Sequence, residues 1–169
     1  MSGWVHLGSR VFSGLAAILI LVLAATLGRL PPVVASHFGA GGAANGWSSR
    51  PAYAAFLLGI GILLPLGIVG LVYALTTRGI PLLNVPYKEY WRQAEHAPEA
   101  VRRIRAYIWW LGCIIAAVNL ATHSFILQAH AAEPPRLATL GFGVVYVGSL
   151  AAVGFWIVGL YRLLRPTEP

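Results

Sequence analysis

The chain has 169 residues, of which 58% are hydrophobic and only 10% charged, with a mean hydropathy of +0.73. A soluble domain carries about 25% charged residues, so this composition excludes a water-soluble globule and fits a protein whose surface is mostly lipid. The formal net charge of +7 comes from 12 Lys and Arg against five Glu; the basic residues are not interleaved with stacking aromatics, which argues against nucleic acid as a partner and in favour of inner-loop and headgroup contacts.

The first predicted element is an apolar run beginning at Val11, a span at 11–28. It is near the lower limit for the roughly 20 residues that cross a hydrocarbon core. Arg10 is a flank that would also suit a signal peptide, but Ala24-Ala25-Thr26 is a poor cleavage site, so a retained anchor is expected. An outer loop follows at 29–52. The second span is 53–75, with Pro65 at its centre and Gly59, Gly61, Gly67 and Gly70 around it. A proline there removes one backbone hydrogen bond and predicts a kink; the glycines predict close helix approach.

The loop at 76–105 is rich in Lys, Arg, Tyr and Trp. Glu99 stands three and four residues before Arg102 and Arg103, the spacing of helical ion pairs. An interfacial helix over 88–104 is predicted, lying on the inner leaflet with its aromatics at the headgroups. The third span, 106–127, is the one run with a polar face: Asn119, His123 and His130 share one side of the helix. Polar groups in a bilayer are costly and turn to a bundle interior or a wet cavity, so His123 is expected to face the bundle. Cys113, the single cysteine, sits in this apolar run and reads as a small buried hydrophobe. The fourth span is 137–161, where Gly148 and Ala152 make a small-residue step.

Orientation follows from the loop charges. Arg10, Arg78, Lys88, Arg92, Arg102, Arg103, Arg105, Arg162 and Arg165 fall on one side, against Arg29, Arg50 and Arg136 on the other. Both termini and the 76–105 loop are therefore expected to be cytoplasmic, in a bacterial inner membrane. The expected fold is all-α: an integral membrane four-helix bundle, one domain over 1–169, with a structured extracytoplasmic loop between helices one and two.

That outer loop reads GRLPPVVASHFGAGGAANGWSSRPAY. Pro31 and Pro32 stop the first helix. Asn45-Gly46 is a strong turn dipeptide, and Trp47 is an amphipathic ring suited to the headgroup level. Ser48 or Ser49 is placed to cap the second helix, with Pro51 in its first turn. Leu30-Pro31, Val34, Ser36-His37-Phe38, Gly42 and Asn45 through Arg50 together resemble the signature of the family called domain of unknown function 1648. That domain also opens the longer SdpI-type membrane proteins, which act in immunity to a secreted peptide toxin and in signalling. The stretch from Asn84 to Trp91, NVPYKEYW, and Pro134-Pro135-Arg136-Leu137 resemble segments of short stand-alone members. Gly39, Ala43 and Ala44 depart from residues common in the family.

The resemblance implies a protein or peptide partner at the outer loop, with His37, Phe38, Asn45, Gly46 and Trp47 as candidate contacts. Asn119 and His123 are candidates on the polar face of helix three, and Asn84, Pro86, Tyr90 and Trp91 form a candidate cytoplasmic interface. His37, His123 and His130 are also of a type that binds zinc, but they come from separate segments, and hydrogen bonding across the bundle is the preferred reading. No catalytic residue, metal or cofactor is implied: nucleophile elbow, phosphate loop and dinucleotide fingerprint are absent from the sequence. A non-enzymatic binding protein is the leading class, and a transporter or channel subunit or an assembly factor the alternative. A conductive role requires Asn119 and His123 to line a water path; a binding role leaves them sealed and the outer loop folded.

Overall fold

The computed structural model describes residues 3–77 and 84–166, with side chains from residue 6 onward. Arg78, counted above among the cytoplasmic-loop cations, lies outside these residues, as does the rest of 78–83.

Helix α1 runs Gly3–Thr26 and closes with a tight turn at Leu27–Arg29. Strands β1 (Val33–Phe38) and β2 (Ala44–Ser49) pair antiparallel. Helix α2 (Arg50–Leu58) continues through a wide π turn, Gly59–Leu63, into α3 (Leu64–Leu75). A single turn, α4 (Lys88–Trp91), precedes the long α5 (Ala97–Ala129), and α6 is Thr139–Leu163. Among the described residues, four stretches are long and apolar enough to cross a membrane: His6–Arg29, Arg50–Leu75, Ala97–Ala129 and Thr139–Leu163. The all-α membrane bundle expected from the sequence is the architecture found. Helix α1 begins earlier than the apolar run alone marks.

Helix α5 is the central element, with α1, α3 and α6 packed on it. Its seam with α1 is close: a Cβ at Gly8 would lie 3.0 Å from the Trp109 Cβ. Phe12, Cys113 and Ala116 are buried together there, as expected for a cysteine acting as a hydrophobe. Helix α6 is held to α5 by aromatic pairs, Tyr107 stacked on Trp156 and Phe125 edge-on to Phe142. No residue of α6 is fully buried, which suits a helix apolar on all sides and covered by lipid.

Two expectations are refined. The chain meets Pro65 with a widened turn: the Leu64 N–H reaches back five residues to the Gly59 carbonyl, giving the proline ring room past the preceding turn. The wide turn also presses Gly61 into the bundle, where a Cβ would come within 2.5 Å of Leu19 Cδ2 and 3.4 Å of Asn119 Cβ. The predicted interfacial helix over 88–104 is not a separate element. Only Lys88–Trp91 forms a short turn, and residues from Ala97 continue into the third span as one helix of 33 residues. The reason is local: Pro98 starts the helix and nothing after it breaks it. At a rise of about 1.5 Å per residue this helix is about 50 Å long, beyond a hydrocarbon core of about 30 Å. Its first turns therefore project past the apolar layer, and there the Glu99–Arg102 and Glu99–Arg103 pairs form as their spacing predicts.

Candidate functional site

The end of the bundle that carries β1 and β2 gathers most of the candidate residues. The hairpin is docked at several points. Val34 and Ala35 are fully buried, and Val34 packs with Leu23, Leu30, Tyr53, Leu57 and Ile126, with Phe38 at the margin. At the tip, the Gly42 carbonyl accepts from the Leu137 N–H at 2.8 Å, and Ala43 bridges to Arg136. Gly42 has a φ of +77°, and a Cβ on it would lie 2.5 Å from the Leu137 carbonyl oxygen, so only glycine fits. Gly46 faces His37 so closely that a Cβ would stand 2.8 Å from the His37 Cβ. At the exit, Ser49 caps α2 by accepting from the Ala52 N–H, with Pro51 in the first turn. Arg50 donates to the Leu30 carbonyl at 2.9 Å and ties the hairpin base to the end of α1.

Beneath the hairpin lies a buried polar relay. Thr26 Oγ1 donates to the Val22 carbonyl at 2.6 Å, which leaves the hydroxyl oxygen to accept from His123 Nε2–H at 2.7 Å. His123 Nδ1 then accepts from the Tyr53 hydroxyl at 2.9 Å. This assignment uses every proton once and makes His123 neutral, with its proton on Nε2. The relay ties α1, α2 and α5 together, and His123 has no exposed surface. Facing the bundle satisfies both ring nitrogens, which lipid cannot do. Asn119, one turn away, is also buried and donates to the Ile115 carbonyl of its own helix.

His130 caps α5 and holds the hairpin. Its Nδ1–H donates to the Ile126 carbonyl at 2.8 Å, so its Nε2 is free to accept the Ala35 N–H at 3.1 Å. That amide is available because Ala35 and Trp47 form an outward-facing pair of the antiparallel ladder. His37 is on the outer surface of the hairpin, its Nδ1–H donating to Asn45 Oδ1. The three histidines considered as a metal set are thus committed to three different contacts, and among the described residues no three His, Cys, Asp or Glu side chains converge.

Alongside the hairpin is an open cleft of about 600 Å³ between the residues that follow α1 and those that follow α5. Arg29, Pro31, Val33, Trp47, His130 and Glu133 line it, with Leu30, Ala132, Pro134 and Pro135. Trp47 is 53% and Val33 56% exposed.

The candidate residues therefore divide into three groups. His37, Asn45 and Trp47 present side chains on the hairpin surface, with Gly46 and the half-buried Phe38 between them. Asn119 and His123 lie inside the bundle, His123 with no exposed surface and Asn119 with 8%. Of the group at the other end, Asn84 is exposed and Pro86 half-buried, but Trp91 is buried and donates to the Leu164 carbonyl at 2.8 Å, while Tyr90 stacks on His96. Trp91 thus anchors the end of α6 where an open interface was expected. Sequence reasoning missed Thr26 and Tyr53, whose signal was that each is a polar residue in an apolar span at the depth of His123. It also missed the cleft, whose signal was Glu133, the sole acidic residue in the loops at 29–52 and 130–138.

Residues 14–63 match the family model described as Domain of unknown function (DUF1648). The match covers most of α1, the whole hairpin and α2 through its wide turn. The resemblances noted at 84–91 and 134–137 lie beyond it. Neither the curated proteins nor the solved structures contain a match to the chain.

Proposed function

We propose, on the premise that residues 14–63 are a DUF1648 domain, that this multi-pass membrane protein is a non-enzymatic binding protein recognising an extended protein or peptide segment at its hairpin, in signalling or immunity. The observation that carries this reading is the folded hairpin with a free edge. Among the described residues the sheet has two strands, and beyond them the bridge of Ala43 to Arg136 meets only the approach to β2. The Ala35 N–H points away from β2 to His130, and Ala35 pairs with Trp47. Paired residues in an antiparallel ladder alternate between inward and outward backbone groups, so the Trp47 backbone groups point out of the free edge of β2. A free edge beside an exposed indole is the arrangement that adds a strand from a partner. Asn45 and His37 flank it as polar contacts.

The charge bias supports placing the hairpin on the outer side of a bacterial inner membrane, with both termini inside. The alternative, a transport or channel subunit, needs water beside Asn119 and His123; the burial of both and the closed hydrogen bonding of His123 support the binding reading over it.

The test uses full-length protein in native membranes, with a photo-crosslinking residue at position 47 or, as a lipid-facing control, at position 150. Position 47 is expected to crosslink one defined protein segment, and a synthetic peptide of that segment should bind the protein in nanodiscs and lose binding with Trp47→Ala. Crosslinks to lipid alone at position 47 would end this reading.

A further inference from the structure

The cleft beside the hairpin carries a second inference, which does not depend on strand addition at β2. Its position is set by the two helices that flank it. Arg29 is the last residue of the first span, and the third span ends at Ala129, one residue before His130. The lining residues Arg29, Pro31, His130 and Glu133 thus sit where two membrane-crossing helices leave the apolar layer, the level occupied by lipid headgroups.

Arginines without an ion-pair partner are common in this chain, Arg10, Arg136, Arg162 and Arg165 among them, but among the described residues Glu133 is the one carboxylate in that state. Among the described residues, ion pairs join Arg92 to Glu89, and Arg102 and Arg103 to Glu99, and Glu95 contacts His96, all on the segment before or at the start of α5. Among the described residues, neither Arg29 nor Glu133 has an ion-pair partner, although both line one cleft. An exposed guanidinium binds a phosphate in a two-pronged fashion. An exposed carboxylate accepts from an ammonium, and the face of an indole attracts the same cation. His130, which also lines the cleft, is already committed through both ring nitrogens. Pro31 and Val33 add apolar surface of the kind that packs against the glycerol end of a lipid.

We infer that this cleft is a binding site for the zwitterionic headgroup of a membrane phospholipid, with the phosphate on Arg29 and the ammonium on Glu133 beneath Trp47. The membrane is the source because the cleft opens at headgroup depth, where lipid is always present at high local concentration. Glu133 is the selective element. Arg29 would attract any phospholipid, and the carboxylate, with the indole face beside it, separates an amine-bearing headgroup from an anionic one.

The experiment reconstitutes the full-length protein into vesicles of equimolar phosphatidylethanolamine and phosphatidylglycerol, then counts retained lipids by native mass spectrometry after gentle detergent release. The wild type should retain phosphatidylethanolamine above its share. Glu133→Gln should lower that preference about tenfold, as expected for loss of one hydrogen bond to a charged group. Glu133→Lys should reverse the preference towards phosphatidylglycerol, and Arg29→Gln should reduce retention of both lipids. These positions are exposed, so unchanged thermal melting is expected to accompany each change. Soluble phosphoethanolamine should fail to displace the bound lipid. Retention at the vesicle ratio, or a preference unaffected by either Glu133 variant, would overturn the site; full displacement by soluble phosphoethanolamine would place the ligand in water and overturn the lipid assignment. Neither result bears on peptide binding at β2, which the Trp47 crosslinks read separately.

Discussion

The two ends of the bundle face the same physical problem and answer it differently. Helices α1 and α5 finish at the hairpin end, and α3 and α6 finish at the other. Each leaves carbonyl groups without an intrahelical donor. At the hairpin end the side-chain donors to the last turns are mostly neutral: the His130 ring joins its own backbone N–H on the Ile126 carbonyl, the Thr26 hydroxyl supplies Val22, and Arg50 alone contributes a charge, to Leu30. At the far end the Thr76 and Thr77 hydroxyls likewise supply Val72 and Ala74, and arginines and an indole are added to them. Arg103 donates to the Leu163 carbonyl at 2.7 Å while paired with Glu99, and Arg105 donates to the Tyr73 carbonyl and to Thr76 Oγ1. Trp91 donates to Leu164, with Arg103 over its ring. Cations are favoured at helix C-termini, so the far end gains from its charge. The hairpin end holds its shape with imidazoles and tight backbone turns, and its Arg29 and Glu133 are left for other work. Basic residues thus clamp two helix ends.

This contrast can be broken most severely at Gly42. Gly42→Ala places a side chain in the left-handed region and drives it against the Leu137 carbonyl. The expected cost to hairpin docking is about 3 kcal/mol, from a conformational penalty of about 1–2 kcal/mol and crowding of similar size. Hydrogen exchange should show loss of protection across 33–49 while the far end stays protected; an unchanged hairpin would show that its tip is not held as described.

His123→Leu should cost about 1–3 kcal/mol, because the Tyr53 hydroxyl and the Thr26 oxygen lose their shared partner while buried. Thermal melting in detergent reads this, and Tyr53→Phe in the same background should add little further, since its partner is already gone. Full additivity would mean that the relay is not one unit. The smallest effect belongs to the far end: Arg103→Gln should cost about 1 kcal/mol, discounted for its partly exposed pair with Glu99. Exchange should quicken only around 160–166. If it quickens equally in the hairpin, the two ends are coupled and the comparison fails.

Several features were legible before any coordinates. The four spans, a cap from Ser48 or Ser49, the buried Cys113 and the inward-facing His123 each follow from a local rule: hydrophobic length, capping chemistry, or the cost of an unsatisfied group in lipid. The Glu99 ion pairs follow from spacing within one helix. The outer loop was recognisable as structured from its glycines and Asn45-Gly46, yet its form as a strand pair was not, because its register is irregular and is held from outside by His130 and Leu137. The predicted interfacial helix failed for the opposite reason. Helical periodicity continues unbroken from Ala97, and the change from polar to apolar composition was mistaken for a change of element.

Composition, span length and loop charge by themselves determined that this is a multi-pass helical membrane protein, because the cost of polar groups in lipid acts on each segment independently of the others. Which side chains meet was decided only by tertiary structure. The Thr26–His123–Tyr53 relay joins residues 97 and 70 positions apart, and the Arg29–Glu133 cleft lies between the ends of two helices. Such contacts depend on how α1, α2 and α5 are rotated about their axes. That rotation is set by the joint packing of Gly61 on Leu19, Gly8 on Trp109 and Gly112 against Phe12 and Pro65, a many-body fit to which no single segment of the chain holds the key.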